Sequence, residues 1–231
     1  MEDVKANARR VLERLEIASQ RWGRVPDLVA VSKTMPPERI NPLAGMNILA
    51  LGENRAQEIM QKYAYLDHSF SIHCIGRLQT NKVKYIIDKV CMIQSLDRME
   101  LAQEIDRRAQ MRAAVMPVLV QVNIGREAQK GGVAPEETMA FVRAVHDLPG
   151  ICVQGLMCIM PHVSDETVLR PLFQSMRTLF ENVRDEAIAG TDIRHLSMGM
   201  SGDYELAAQE GATMVRVGSA IFGKRSAMQA N

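Results

Sequence analysis

Eight short β-rich runs recur along the chain with helix-patterned stretches between them, and nowhere do two runs sit close enough for a tight hairpin. The runs are DLVAVSK from Asp27, NILALGEN from Asn47, FSIHCIG from Phe70, VCMIQS from Val90, MPVLVQVNI from Met116, ICVQGLMCI from Ile151, IRHLSMG from Ile193 and TMVRVGS from Thr213. Segments such as RMELAQEIDRRAQM and PEETMAFVRAVHDL between them carry apolar residues at helical spacing. Alternation on this scale means a parallel sheet built from crossover helices. In 231 residues an eight-fold β/α repeat matches a minimal TIM barrel and fits an open doubly wound sheet less economically. The expected fold is therefore α/β, a single (β/α)8 barrel domain over residues 1–231, with an extra N-terminal helix in MEDVKANARRVLERLEIASQRWG.

Charge narrows the function classes. Lys plus Arg total 28 against 27 Asp plus Glu, so the balance offers no electrostatic footprint for nucleic acid or an anionic membrane, and an anionic ligand must be met locally. No run of about 18 apolar residues would span a bilayer, and the first helix has no apolar signal-peptide core. Cys74, Cys91, Cys152 and Cys158 lie singly in apolar segments, without the paired spacing of a zinc site. Buried reduced thiols, no metal and a cytoplasmic setting are the expectations.

Barrel enzymes build their sites at the C-terminal ends of their strands. Those ends here are Lys33, Glu53 with Asn54, Gly76, Ser95, Asn123, Met157, Ser197 with Gly199, and Gly218 with Ser219. A lysine among apolar neighbours has its ammonium form disfavoured, which frees the amine as a nucleophile towards carbonyl groups. Lys33 could equally top a strand and pair with a carboxylate.

Two segments near the C-terminus, LSMGMSGDYELAAQEG and VRVGSAIFG, each run from a strand through Gly and Ser into a helix. Both suit an anion: glycines let backbone N–H groups approach, serine hydroxyls add hydrogen bonds and the helix adds its N-terminal dipole. Ser201 could instead cap the helix that follows it. In a barrel the phosphate site commonly follows strands seven and eight, where these segments fall. A phosphate turn beside a strand-one lysine describes a site for pyridoxal 5′-phosphate. Arg216, two residues before Gly218, shares its face and would aim inward at the cofactor ring, or form an ion pair inside the barrel. GSAIFGKR has the spacing of a P-loop but places Arg225 where magnesium binding needs Ser or Thr. HCIGRLQTNKVK brings His73, Arg77, Asn81, Lys82 and Lys84 near a strand end, suited to anions or to a solvated helix start. His195 reads as a satisfied core histidine, and the methionines around Met157, Met160, Met198 and Met200 as adaptable packing at the barrel mouth.

In order along the chain, VAVSKT, GENRAQE, HCIGRLQTNK, VNIGREAQKGG, GLMCIMP, LSMGMSGDYELA and VRVGSAIFG resemble the motifs of the pyridoxal phosphate homeostasis proteins, the YggS/PROSC family. That family is similar to the N-terminal barrel of alanine racemase and to fold type III pyridoxal-phosphate enzymes. The resemblance implies that Lys33 carries the cofactor as a Schiff base, that Ser201, Gly218 and Ser219 hold its phosphate with help from Ser197, and that Arg216 approaches the pyridine nitrogen. It further implies that Asn54 lies near the cofactor and that Lys130 takes part in handling it. Arg77 stands where many relatives have proline, and Ser219 where threonine is common.

The implied function is a pyridoxal-phosphate carrier or buffer in vitamin B6 homeostasis, without established catalytic residues. Its expected partners are the cofactor and apo-enzymes that receive it, and its expected state is a monomer. Alanine racemase adds a β-rich domain that supplies an opposing tyrosine, and the sequence stops just after the phosphate loop, so that second face of a two-base site lacks its usual supplier. The alternative is a stand-alone pyridoxal-phosphate racemase.

Overall fold

The computed structural model describes residues 3–127 and 131–223. All eight predicted strands form: β1 (Asp27–Val31), β2 (Ala50–Glu53), β3 (Ile72–Cys74), β4 (Met92–Leu96), β5 (Met116–Val122), β6 (Ile151–Cys158), β7 (His195–Ser197) and β8 (Met214–Val217). They pair in parallel in chain order, and β8 returns to β1 with Val29 opposite Arg216, which closes the ring. The strands are shorter than the sequence runs because the last residues of several runs leave the ladder. Lys33 and Gly218 are among these, and they become loop residues at the mouth.

The helices are α1 (Val4–Ala18), α2 (Pro37–Ile40), α3 (Ala56–Lys62), α4 (Val83–Ile86), α5 (Met99–Gln110), α6 (Thr138–His146), α7 (Glu166–Asp185), α8 (Tyr204–Gln209) and α9 (Ser219–Phe222). Asp3 starts α1 by accepting from the backbone N–H groups of Lys5 and Ala6 at 3.0 and 3.2 Å. Val4, Ala8, Val11 and Leu15 form its buried stripe. This predicted extra helix is pinned to the end of the barrel: Asn7 donates to the Ile221 carbonyl at 3.1 Å, and Arg14 pairs with Glu205 at 2.9 Å.

Period-two alternation divides the strands between two cores. Outward residues pack under the helices, whereas Val29, Met92, Leu119, Met157 and Met214 fill the barrel interior. Two residues further along their strands, Gln94 and Arg216 continue that inward face towards the mouth. One bulge interrupts the ladder between β5 and β6, where Val118 opposes Val153 but Leu119 opposes Gly155. Gly155 has φ +147°, and a Cβ there would sit 1.9 Å from the His195 carbonyl oxygen.

Two expectations change in detail. Cys74 and Cys158 are buried, but Cys91 is exposed and Cys152 only half-buried. His195 opens β7 at the end away from the mouth, and its buried Nδ1 has no hydrogen-bond partner among the described residues. No described helix is long and apolar enough to cross a membrane.

Candidate functional site

The loop after β1 carries Lys33 between two gripped residues. Thr34 adopts φ +64°, an outlier for a β-branched side chain, and its N–H donates to Glu58 Oε2 at 2.6 Å. On the other side, Lys62 Nζ donates to the Ser32 carbonyl at 2.8 Å and to Glu53 Oε1 at 2.8 Å. Ser32 Oγ also donates to Glu53 Oε1, at 2.6 Å. The acidic and basic side chains of β2 and α3 thus fix the backbone on both sides of Lys33. Glu53 is fully buried; burial pushes its pKa up, and Lys62 and Ser32 pull it back down. The sequence reading missed this network because Glu58 and Lys62, four apart on a helix, look like a surface pair.

Across the seam from β1, after β7 and β8, Ser201 Oγ accepts from the backbone N–H of Gly218 at 3.0 Å and of Ala220 at 3.3 Å. Ser201 therefore caps α9, not α8, which follows it in sequence. Asp203 occupies the N-cap position of α8, but its carboxylate accepts from the Met200 N–H at 2.6 Å, ahead of the helix. Helix α9 is a single turn, so its donors act as individual amides more than as a macrodipole. Gly218 lies against β1, where an added Cβ would meet Val31 at 3.2 Å.

Arg216 is buried and points into the barrel axis. Its Nη1 donates to Ser197 Oγ at 2.6 Å and its Nη2 to the Cys158 carbonyl at 2.7 Å. Ser197 donates onward to Gln94 Oε1 at 2.7 Å, and Gln94 Nε2 lies 2.8 Å from His73 Nδ1. Burial pushes the Arg216 pKa down, with Cys158 and Asp203 acting against it, and the guanidinium stays cationic. No described carboxylate ion-pairs with it. Burial holds the Cys158 thiol neutral, its pKa pushed up to about 12, and burial drops His73 to about 4, so both are uncharged near neutrality.

Lys33, Ser201, Arg216, Gly218 and Ser219 line one cavity of about 640 Å3, closed on its apolar side by Val31, Met35, Ile159 and Phe222. Such a volume suits a small molecule. The turn donors, two cations and an apolar wall fit a flat ring with a phosphate and a carbonyl. Two expected site residues lie elsewhere. Ser197 is inside the barrel, behind Arg216 and outside the cavity lining. Asn54 lines a separate cavity, its backbone so close to Gly76 that a Cβ there would sit 2.4 Å from the Asn54 carbonyl oxygen. Lys130 is outside the described residues, as are Lys224 and Arg225 of the P-loop-like stretch.

The closed parallel barrel, with its cation and its amide turn on adjoining strands at the mouth, defines the class: the family model described as "Alanine racemase, N-terminal domain" matches residues 6–226. The pyridoxal phosphate homeostasis protein of Aquifex aeolicus is 45% identical over 220 residues, covering 94% of this chain and 96% of that protein. An unknown protein from Bifidobacterium adolescentis superposes with a TM-score of 0.87 at 35% identity, over 96% of this chain and 97% of that one. PipY of Synechococcus elongatus, a structure with pyridoxal phosphate bound, gives 0.79 at 31% identity, over 92% of this chain and 100% of that one. The chain belongs to the alanine racemase N-terminal domain family and, within it, to the pyridoxal phosphate homeostasis proteins.

Proposed function

We propose that this chain binds pyridoxal 5′-phosphate in the mouth cavity and carries or buffers it, in cytoplasmic vitamin B6 homeostasis. The observation that carries the reading is the convergence of Lys33, Arg216 and the Ser201–Gly218–Ser219 turn on one cavity, supported by relatives named for that role and by PipY with the cofactor bound. When bound, the cofactor supplies an aldehyde that condenses with an amine. Lys33 supplies that amine, presented by the Glu58 and Lys62 grip on its loop. Ser201, Gly218 and Ser219 take the phosphate, whose oxygens draw on the same amides that now point at Ser201 Oγ. Arg216, which lines the same cavity, would as a fixed cation disfavour protonation of a ring nitrogen placed against it and leave a weak electron sink.

The test is the visible absorption of the purified protein with added cofactor, followed by borohydride reduction and peptide mapping. A yellow protein labelled at Lys33 supports the reading, and a protein that stays colourless overturns it. Delivery to an apo-enzyme, without saturable turnover of any amino acid, separates carrier from racemase.

A further inference from the structure

The loops after β2, β3 and β4 enclose a second cavity, of about 540 Å3, that shares no lining residue with the first. Its side chains include Arg55, Arg77, Lys82 and Arg98, and none of its ten lining residues is acidic. In a chain whose charges nearly cancel, this is a local excess. Elsewhere arginines are largely matched, as in Arg14–Glu205, Arg126–Glu136 and Arg143–Glu186. Arg55, Arg77 and Lys82 have no carboxylate at ion-pair distance among the described residues. Arg98 has a different part: it pairs with Asp97 at 2.5 Å and donates to the Leu78 carbonyl at 2.9 Å and to Thr80 Oγ1 at 3.3 Å. It thereby ties the end of β4 to the loop after β3 and holds that wall in place.

We propose that this second cavity is an anion site for a small, hydrophilic, multiply charged ligand of the phosphate-ester or diphosphate kind, bound beside the cofactor. Guanidinium forks match phosphate oxygens in pairs, and three uncompensated cations in a concave wall concentrate positive potential. The rest of the lining sets the ligand's character. It has amides and a hydroxyl, only Ala56 and Leu78 as apolar residues, and no aromatic ring. A sugar-like or bare polyphosphate body can hydrogen-bond to those amides and that hydroxyl. The site goes beyond the cofactor reading, and it places a charged effector on the half of the mouth that the cofactor leaves free.

The probe is inorganic pyrophosphate, titrated calorimetrically at low ionic strength into protein loaded with pyridoxal phosphate, so that the first phosphate turn is occupied. One further equivalent should bind, weaken as salt is raised, and lose at least tenfold in affinity in Arg55→Gln/Arg77→Gln and in Lys82→Gln. The cofactor's visible spectrum should be the same in these variants. Pyrophosphate that binds only by displacing the cofactor overturns the proposal, as does binding unchanged by the substitutions. Tight binding of polyglutamate without binding of pyrophosphate also overturns it, in favour of an acidic protein surface. Heat of pyrophosphate binding and cofactor colour are separate readouts, so failure of this site and failure of the cofactor reading are told apart.

Discussion

Ser197 accepts a hydrogen bond from Arg216 Nη1 at 2.6 Å and donates one to Gln94 Oε1 at 2.7 Å, and Gln94 in turn reaches His73. Every link runs in one direction, from a cation at the mouth to a neutral imidazole inside the barrel, and such chains strengthen their members mutually. Ser197→Ala removes the acceptor and leaves one Arg216 donor buried and unmatched. The expected outcome is a cofactor affinity lower by roughly 1–3 kcal/mol with an altered visible spectrum, read by fluorescence and absorption titration.

Lys33→Ala should abolish the visible band and the borohydride-stable label while leaving the circular dichroism and thermal midpoint near those of the parent protein. Alanine at a loop position past β1 removes the amine without opening the core. Retention of the band would move the covalent site to another lysine.

Ser201→Ala deprives the Gly218 and Ala220 amides of their shared acceptor, and the bound phosphate of a hydroxyl donor. Combined with Ser219→Ala, it should weaken cofactor retention by at most roughly 1.5–3 kcal/mol for each hydroxyl, measured by equilibrium dialysis. Equal retention would count against the phosphate turn.

Lys62→Met strands the Glu53 carboxylate, already fully buried, without its cation. Loss of about 3–5 kcal/mol of stability is expected at neutral pH. The pH dependence has a definite sign. Glu53 titrates above its unfolded value, so between the two values the folded state holds more protons, and stability falls as pH rises through that window. Without Lys62 the fall should steepen, and Glu53→Gln/Lys62→Met should flatten it. Urea unfolding at several pH values distinguishes these outcomes.

His73 gives the opposite slope. Its pKa is depressed from 6.5 to about 4, chiefly by burial and then by repulsion from His195. Between those values the unfolded chain binds the proton that the folded one refuses, so stability drops as pH falls, by about 3 kcal/mol over the window. His73→Gln keeps an acceptor for Gln94 and should remove this part of the acid loss, seen as a flatter thermal midpoint from pH 7 to 4.

The barrel was legible in the sequence because its signal is local: strand after strand ends on a turn, with helical spacing between. Parity along β8 likewise predicted the face that Arg216 and Gly218 share, and Met214 begins it inside the barrel. What could not be read depends on contacts between distant strands. Ser201 looks like the cap of the helix beside it, yet β7 and β8 are neighbours in the ring, and its hydroxyl meets amides 17 and 19 residues away. Ser197 looks like one more hydroxyl at a phosphate loop, but the pleat turns it inward to Arg216. The buried Glu53–Lys62 pair is invisible for the same reason, since charge alone does not say which face of α3 meets the sheet.

Lys33 follows the first strand and Gly218 the last, and those strands meet at the joint where the ring closes. A ligand held by both would act as a clasp across the one place where neighbouring strands come from opposite ends of the polypeptide. The α1 tether to Ile221 reinforces the same joint from outside. Loading would then be mechanical as well as chemical: a filled barrel resists parting at its seam.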